Sequence, residues 1–325
     1  MIVDFDDSCW PHVDADWQRS LIELLMIVKR SEAHAVLASP GGLLPWCDSH
    51  LPLFADYFRV RLASAQPRTN AIKILVHPNG APQPAGNPPW TLTAEAAASV
   101  LSRPLRVVLE NDESDRLFLT STIPSFFVWC KRGWIESVMG GGSAMTPKIA
   151  SAATDTLARW RTFFIFDSDR LHPSELAVGW TPPRGDGCQG YVFETSCASM
   201  PRDRWHRLER RAIENYLPPS ILHAIEANLS AALFSPDVGS MAHFYNMKQG
   251  LQGDGVSPSE PSQAVRATRN QGFWTSLPQT AVSTLEPGFG RKVSDEFANV
   301  PAHYPWPHSV IAEINALTDA LQDAM

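Results

Sequence analysis

The stretch "LRVVLENDESDRLFL", residues 105–119, joins an apolar run to an acidic cluster and then to the start of a helix. The apolar part has the length and composition of a buried strand. Four acids follow where this strand ends, at Glu110, Asp112, Glu113 and Asp115. Such crowding needs a physical explanation, because like charges at close range repel each other.

A second pair of acids follows another apolar run. "TFFIFD", residues 162–167, reads as a buried strand, and "DSDR" at 167–170 places Asp167 and Asp169 at its end. Near-continuous apolar strands separated by helical segments favour an α/β fold with a parallel sheet covered on both faces. Ligands of such sheets bind outside the carboxyl ends of the strands. Both acidic groups therefore fall at the edge where a ligand is expected.

The two acidic groups suggest a metal site. Asp167 and Asp169 are one residue apart, so both carboxylates can point the same way past Ser168, and Glu110 can join them from a neighbouring strand. Carboxylates are hard oxygen ligands for Mg²⁺ or Mn²⁺, and a divalent cation offsets their repulsion. The alternative is that D-x-D forms a turn and the acids cap the following helices, which is common for Asp and Ser. These residues alone leave both interpretations open.

Composition sets the broad class of the protein. With 325 residues the chain is long enough for two domains or one large one, and its 44% hydrophobic side chains can fill a sizeable core. The net charge of −7 argues against uniform coating of nucleic acid or an anionic membrane, and leaves room for a local basic patch. Five cysteines without a C-x-x-C motif indicate reduced thiols. The early apolar run at 21–28 contains a Glu and resembles neither a signal peptide nor a membrane span. We expect a soluble, cytoplasmic protein.

The first predicted boundary is the Pro-rich segment at 77–90, whose composition should not continue a helix or a central strand. It sets off an N-terminal unit over residues 1–92, whose role is not legible from the sequence. Within this unit the pattern predicts an amphipathic helix over 16–30 and a buried strand over 71–77.

The second predicted boundary is the Gly/Ser/Pro-rich segment at 250–263, expected to be mobile. It separates a domain over 93–250, which contains both acidic groups, from a linker and C-terminal helical extension over 251–325. A helix is expected over 309–323. Inside the domain over 93–250, helices are predicted over 114–122 and 146–160, and a third strand over 191–194.

A helix is also predicted between Pro201 and Pro218. Its spacing puts an apolar face on one side and Glu214 on the other. The polar side also carries Arg207, Arg210 and Arg211. The plain interpretation is a solvated face with weak ion pairs. The functional one is a carboxylate ligand among arginines that bind a phosphate backbone.

Three motifs together resemble the Toprim domain in its nuclease form. They are the strand that ends at Glu110 with an Asp shortly after it, the strand that ends in D-x-D, and "RRAIENYLPPSIL" at 210–222. The similarity is to the overcoming-lysogenisation-defect (OLD) nucleases and related Toprim proteins of bacterial anti-phage systems, over residues 100–250. It implies a Toprim-like parallel sheet flanked by helices and a Mg²⁺- or Mn²⁺-dependent phosphoryl-transfer site.

The resemblance assigns residues to that site. Glu110, Asp167 and Asp169 match the family's ligands, and Glu214 matches its later acidic position. "GGGSAM" at 140–145 resembles the Gly-rich loop before the second helix, with a plain tight turn as the alternative.

The chain departs from the family pattern at two places. Asn111 follows Glu110 where Gly is usual, and Asp115 lies one position further on than usual, so either Asp112 or Asp115 can fill the second acidic role. The family's late basic residue is matched by Lys248, our preference, or by Lys292.

The function implied is hydrolysis of phosphodiester bonds in DNA with one or two metal ions. Glu214, with Asp112 or Asp115, would hold the second ion, and the lysine or Arg170 would neutralise the transition state. Relatives often work with an ABC-type ATPase, and this chain lacks the P-loop spacing, so a separate ATPase partner is implied. The sequence leaves the oligomeric state open, a homo-oligomer included.

The rival hypothesis is a Toprim-like domain that turns over poorly and serves as a binding or assembly subunit of a defence complex, with residues 1–92 docking the partner. The altered first motif and the negative charge favour this hypothesis. The retained acids disfavour it, because clustered carboxylates without a cation repel each other.

Overall fold

Two four-stranded parallel sheets organise the chain in the computed structural model, which describes residues 1–64, 70–254, 269 and 272–325. The strand order of the first sheet is β2 (Ala35–Ala38), β1 (Ile2–Phe5), β3 (Lys73–Ala81) and β4 (Trp90–Leu92), and that of the second sheet is β6 (Ile135–Met139), β5 (Leu105–Leu109), β7 (Thr162–Phe166) and β8 (Trp205–Arg207). Helices flank both sheets, so the fold class is α/β, as predicted.

The N-terminal unit is built on an amphipathic helix, as the sequence predicts. The Asp14 side chain accepts a hydrogen bond from Trp17 N and starts α1 (Ala15–Ser31), which ends at Glu32 in the left-handed region. Its buried face contains Leu21, Leu24, Leu25 and Val28. The other helices of this unit are α2 (Pro40–His50), α3 (Ala55–Ser64) and α4 (Ala94–Leu101).

Two details of this unit differ from prediction. β3 continues to Ala81, although Pro78 and Gly80 argued against a strand there. Val76 and Ala81 both pair with Leu92, so the residues between them bulge out of the ladder and Pro78 does not need to donate a hydrogen bond. In addition, α4 packs in the first core, which therefore extends beyond the expected boundary at residue 92.

The second sheet carries the acidic strands at its centre. Its strands are β5 (Leu105–Leu109), β6 (Ile135–Met139), β7 (Thr162–Phe166) and β8 (Trp205–Arg207). All of β7 is buried: Phe163 and Ile165 join one core, while Phe164 and Phe166 join another on the opposite face. This two-sided burial explains why the strand reads as a continuous apolar run.

Five helices accompany this sheet: α5 (Asp112–Thr122), α6 (Pro124–Lys131), α7 (Met145–Thr154), α8 (Thr156–Arg161) and α9 (Gln189–Ser196). The helix predicted over 146–160 is broken at Asp155, whose side chain accepts from Ala158 N at 2.6 Å and caps α8. The strand predicted over 191–194 is wrong, because this segment lies inside α9.

The helix predicted between Pro201 and Pro218 is also wrong. The segment forms a 3₁₀ turn, strand β8, an irregular stretch and a second 3₁₀ turn at Ile213–Tyr216. Trp205 on β8 stacks on Phe166 of the neighbouring strand β7, with ring centroids 5.9 Å apart. The apolar spacing that suggested a helix thus reflects contacts with different parts of the core.

The C-terminal segment completes the second core. Its helices are α10 (Pro219–Ile225), α11 (Ala227–Leu233), α12 (Gly250–Gly253), α13 (Phe273–Ser276), α14 (Gln279–Leu285) and α15 (His308–Ala324). The helix predicted over 309–323 is confirmed, and its apolar face packs in one cluster with β5 and β7. It is therefore an integral part of the second unit. The mobile segment predicted over 250–263 begins with α12, and from residue 255 it lies outside the described residues.

Short 3₁₀ turns occupy Asp7–Cys9, Pro52–Phe54, Gly142–Ala144, Pro173–Leu176, Cys197–Ser199, Arg202–Arg204, Ile213–Tyr216, Gly239–Phe244 and Val293–Asn299. In the part of the chain that the structure describes, no helix combines the length and the apolar character needed to cross a bilayer.

The packing of α15 gives the first testable prediction. Leu317 is fully buried in the core shared with β5 and β7, so Leu317→Ala should lower the free energy of unfolding by about 2–5 kcal/mol. Chemical denaturation measures this loss. Asn315→Ala, at an exposed position of the same helix, should stay close to wild type. Equal stability of the two variants would contradict the placement of α15 in the core.

Candidate metal centre

Glu110 and Asp167 meet at the carboxyl edge of the second sheet. They directly follow β5 and β7, which are neighbouring parallel strands. The Asp167 backbone N–H donates to Glu110 Oε1 at 2.7 Å. Two acids 57 residues apart in sequence are thus in direct contact, because parallel strands end at the same edge.

The D-x-D turn is fixed by the segment that follows β8. Asp167 Oδ1 accepts from Ile213 N at 3.0 Å, and Ser168 Oγ donates to Arg210 O at 2.7 Å. Asp169 N donates to Arg211 O at 2.9 Å. These bonds hold the two aspartates beside the turn that carries Glu214.

Asp169 has a left-handed backbone with φ of +52°, which is uncommon for a residue with a side chain. Its Oδ2 accepts from Gly190 N at 2.9 Å, at the start of α9. A Cβ on Gly190 would lie 2.3 Å from Ser168 O, so no other residue lets this helix approach the turn. No local sequence signal marks Gly190, because the pattern directly after it predicts a strand where the structure has α9.

Asp115 belongs electrostatically to the same cluster. It is largely buried, and its Oδ2 accepts from Asn111 N at 3.0 Å. Its charge contributes to the raised pKa values of Glu110 and Asp167. Asp112, the other candidate, begins α5; its Oδ1 is buried and has no hydrogen-bond partner among the described residues. Of these two acids, Asp115 is therefore the one whose charge acts on both Glu110 and Asp167.

Glu214 lies in the buried 3₁₀ turn Ile213–Tyr216, and its Oε1 is 2.7 Å from Lys248 Nζ. Burial by itself would lower the pKa of Lys248, but the charge and hydrogen bond of Glu214, followed by the charge of Asp167, raise it overall. Lys248 thus stays positively charged beside the acids. This ion pair identifies Lys248, rather than Lys292, as the lysine of the cluster.

Burial and mutual repulsion make full ionisation of the acids unfavourable. Burial, then the charge of Asp169, raises the pKa of Glu110 to about 8. Burial, then Glu110 and Glu214, raises the pKa of Asp167 well above its usual value of 3.8. Burial also raises the pKa of Asp115 to about 6. Without an added positive charge, the cluster therefore retains protons near neutral pH.

The residues fit a divalent cation by donor type and charge. Glu110, Asp167 and Asp169 offer hard oxygens, and the partnerless Asp112 Oδ1 is an additional acceptor close by in the chain. Within residues 1–64, 70–254, 269 and 272–325, no three acidic, histidine or cysteine side chains form a finished ligand set. Several of the carboxylate oxygens accept backbone hydrogen bonds instead.

Two of the predicted phosphate-binding arginines are tied to one acid. Arg170 is buried and donates to Glu194 Oε2 at 2.8 Å and to Cys188 Sγ at 3.1 Å. Arg207 donates to the same Glu194 oxygen at 2.9 Å. The Arg170 guanidinium is therefore not available to a bound substrate. This corrects the expectation that Arg170, just after D-x-D, neutralises the charge of the transition state.

The other two arginines are also engaged within the fold. Arg210 donates to Asn215 O at 2.5 Å and lies over the Tyr216 ring. Arg211 forms two hydrogen bonds with Asp254, at 2.5 and 2.7 Å. Because the predicted helix is absent, these side chains do not form one exposed basic face.

Comparison with protein-family models, with curated proteins and with solved structures finds no match for this chain. The function is therefore inferred from the chemistry of the cluster and from the three motifs that resemble the Toprim domain.

The raised pKa of Glu110 predicts how metal-free stability depends on pH. Between its usual value of 4.5 and about 8, the folded protein holds a proton that the unfolded chain has lost, so stability should fall as pH rises across this window. Thermal denaturation in EDTA measures the effect. Glu110→Gln should make the fall shallower, whereas Glu113→Gln, at an exposed position of α5, should leave it unchanged. Identical pH profiles for all three proteins would contradict the buried cluster.

Proposed function

We propose that this chain is a divalent-metal-dependent nuclease that hydrolyses phosphodiester bonds in DNA. The observation that carries the proposal is the convergence of Glu110, Asp167 and Asp169 with Glu214 and Lys248 at the carboxyl edge of a parallel sheet. A Toprim-like fold is part of the proposal, supported by the resemblance of the three motifs to OLD-type nucleases.

Glu110, Asp167 and Asp169 would hold the ion, with Asp115 and Glu214 beside them. Bound there, a divalent ion would supply a water of lowered pKa and would offset charge on the scissile phosphate. The backbone N–H groups of Asp167, Ile213 and Gly190 orient the carboxylates, so their placement does not depend on flexible side chains alone.

Lys248 is the cation of the site. Its ion pair with Glu214 holds the ammonium near Asp167 and Asp115, whose charges act on it. An ammonium so placed can stabilise the negative charge that develops on the phosphate during hydrolysis. The same contact sets a positive charge against the buried Glu214 carboxylate, beside the other acids.

A separate ABC-type ATPase and a role in anti-phage defence belong to the proposal through the resemblance alone. Such an arrangement would place the control of cleavage in the partner.

One observation favours the rival function, a binding or assembly subunit with little turnover. The four arginines predicted to hold a phosphate backbone are engaged in contacts within the fold, which removes the DNA-binding face inferred from the sequence. Turnover separates the two functions, because both proteins can retain a metal ion.

The main test is cleavage of plasmid DNA with Mg²⁺ or Mn²⁺, with EDTA as the blank. Asp167→Asn keeps the acceptor for Ile213 N and removes a ligand charge, so it should abolish cleavage and weaken Mn²⁺ binding while the folded state persists. Asp237→Asn, at an exposed position, is the matched control. Cleavage by Asp167→Asn at the wild-type rate would contradict the site assignment. Failure of the wild-type protein to cleave any DNA would favour the rival function.

The lysine assignment has its own test. Lys248→Met should reduce the cleavage rate by about 100-fold or more, because a single charge-stabilising donor typically contributes that much. Lys292→Met should cleave like wild type, since Lys292 is exposed and Lys248 carries the ion pair to Glu214. Single-turnover rates at saturating metal give the comparison. The reverse pattern would move the catalytic cation to Lys292.

A further inference from the structure

A cavity of about 220 Å³ lies where the two units meet. On the side of the first unit, its wall contains the ends of α1 and α4, and His34 directly before β2. On the side of the second unit, it contains Trp134 and Arg161, directly before β6 and β7. The cavity therefore lies at the amino edge of the second sheet, whereas the acidic cluster lies at the carboxyl edge. The two sites are separate.

Positive charge dominates the wall of this cavity. Its charged side chains, with no Asp or Glu among the described residues that line it, are Arg30, Arg103, Arg132 and Arg161. The buried His34 senses such charges. Burial lowers the pKa of His34 well below its usual value of 6.5, and repulsion from Arg161 and Arg61 lowers it further. The imidazole is therefore neutral near pH 7, beside fixed positive charges.

Two of the four arginines are exposed and have no partner. The side chains of Arg30 and Arg103 form no hydrogen bond or ion pair with a described residue. Arginines near the ends of α1 and α4 can offset the negative ends of these helices. Other arginines already do so: Arg61 donates to Glu32 O after α1 at 3.0 Å, and Arg161 donates to the backbone oxygen after α4 at 2.5 Å. The charges of Arg30 and Arg103 are therefore available to a ligand.

Arg161 adds a buried charge to the same wall. It is 4% exposed, and its two terminal nitrogens donate to the backbone oxygens of Ala324, Met325 and Arg103. Its Nε has no hydrogen-bond partner among the described residues. Burial, followed by the charge of Arg204, lowers the pKa of Arg161 to about 10. Because a buried cation without an acidic partner is costly, an anion in the cavity would stabilise this arrangement.

Arg132 supplies the fourth charge. It pairs with Glu32 at 2.9 Å, and both side chains are about half exposed. Ion pairs at such positions are weak, so Arg132 can donate to a phosphate at little cost. Even with Glu32 counted against the four arginines, positive charge remains in excess at the cavity.

We propose that this cavity binds the phosphate groups of a small anionic ligand, held between the first and the second unit. Guanidinium groups suit this role because they bind phosphate oxygens through two parallel hydrogen bonds. The volume of about 220 Å³ is below that of most sites for drug-sized ligands, which fits a diphosphate and excludes a nucleic-acid duplex. The site does not depend on the proposed nuclease function.

Calorimetric titration of the full chain with inorganic pyrophosphate tests the proposal. EDTA is present throughout, so that phosphate cannot bind through a metal ion at the acidic cluster. Arg30→Gln and Arg103→Gln should each weaken binding about tenfold or more, because each removes one charge-assisted contact. Both positions are exposed, so both variants should remain folded. The control is Arg19→Gln, which removes the same charge from an exposed position in the first half of α1 and should bind like wild type.

ADP is the second probe and separates two sources of the phosphate. Tighter binding of ADP than of pyrophosphate would support the cavity as a nucleotide site, and equal binding would support it as a site for a free diphosphate. No binding of either probe at millimolar concentration, or equal weakening by the Arg19→Gln control, would overturn the proposal. Binding of a DNA oligonucleotide alone would also overturn it and would assign these arginines to nucleic acid.

Discussion

The second unit depends on one unfavourable contact, the meeting of several carboxylates at the end of two buried strands. Glu110 and Asp167 are brought together because β5 and β7 are adjacent and parallel. Burial and mutual repulsion raise the pKa values of both acids. Ionisation of either carboxyl group is therefore less favourable in the fold than in water. A fold that keeps such a cluster requires protons or a cation to offset the charge.

Hydrogen bonds from the surroundings of the cluster partly offset the repulsion among the carboxylates. Backbone N–H groups of Asp167, Ile213 and Gly190 each donate to a carboxylate. The turn that carries Glu214 is anchored from the other side by Glu313 on α15, which accepts from Tyr216 Oη at 2.6 Å and from Glu209 N at 2.8 Å. The C-terminal helix is therefore linked to the acidic site through two hydrogen bonds, in addition to its apolar packing.

The sequence predicts β3, β5 and β7, and the acids that follow two of them, because these signals are local, whereas no prediction covers the other five strands of the two sheets. β7 is a continuous apolar run, α1 and α15 have clear helical periodicity, and each acidic group directly follows a strand. The segment from Pro201 to Pro218 could not be assigned in this way. Its apolar spacing fits a helix, but its residues are fixed by partners far along the chain, such as Asp254 for Arg211 and Glu313 for Tyr216.

The arginines illustrate the same limit. From the sequence, a charged residue near a motif can be assigned to ligand binding because its partner within the fold is unknown. In the structure, Arg170 and Arg207 both donate hydrogen bonds to Glu194. Gly190 was equally hidden, because its importance comes from the carbonyl oxygens of Asp167 and Ser168 that face it. Local patterns predicted the position of the acidic site, whereas contacts between distant parts of the chain decide which side chains are still available to bind a ligand there.

The most direct test of this account is the number of protons released when Mn²⁺ binds at pH 7. Calorimetry in two buffers with different ionisation enthalpies measures that number without requiring any DNA. Because the pKa of Glu110 is about 8 and that of Asp167 is also raised, Mn²⁺ should displace about one proton or more from the wild-type protein, and fewer from Glu110→Gln. Binding of Mn²⁺ without proton release, or no binding at all, would contradict the claim that these carboxylates form a metal centre.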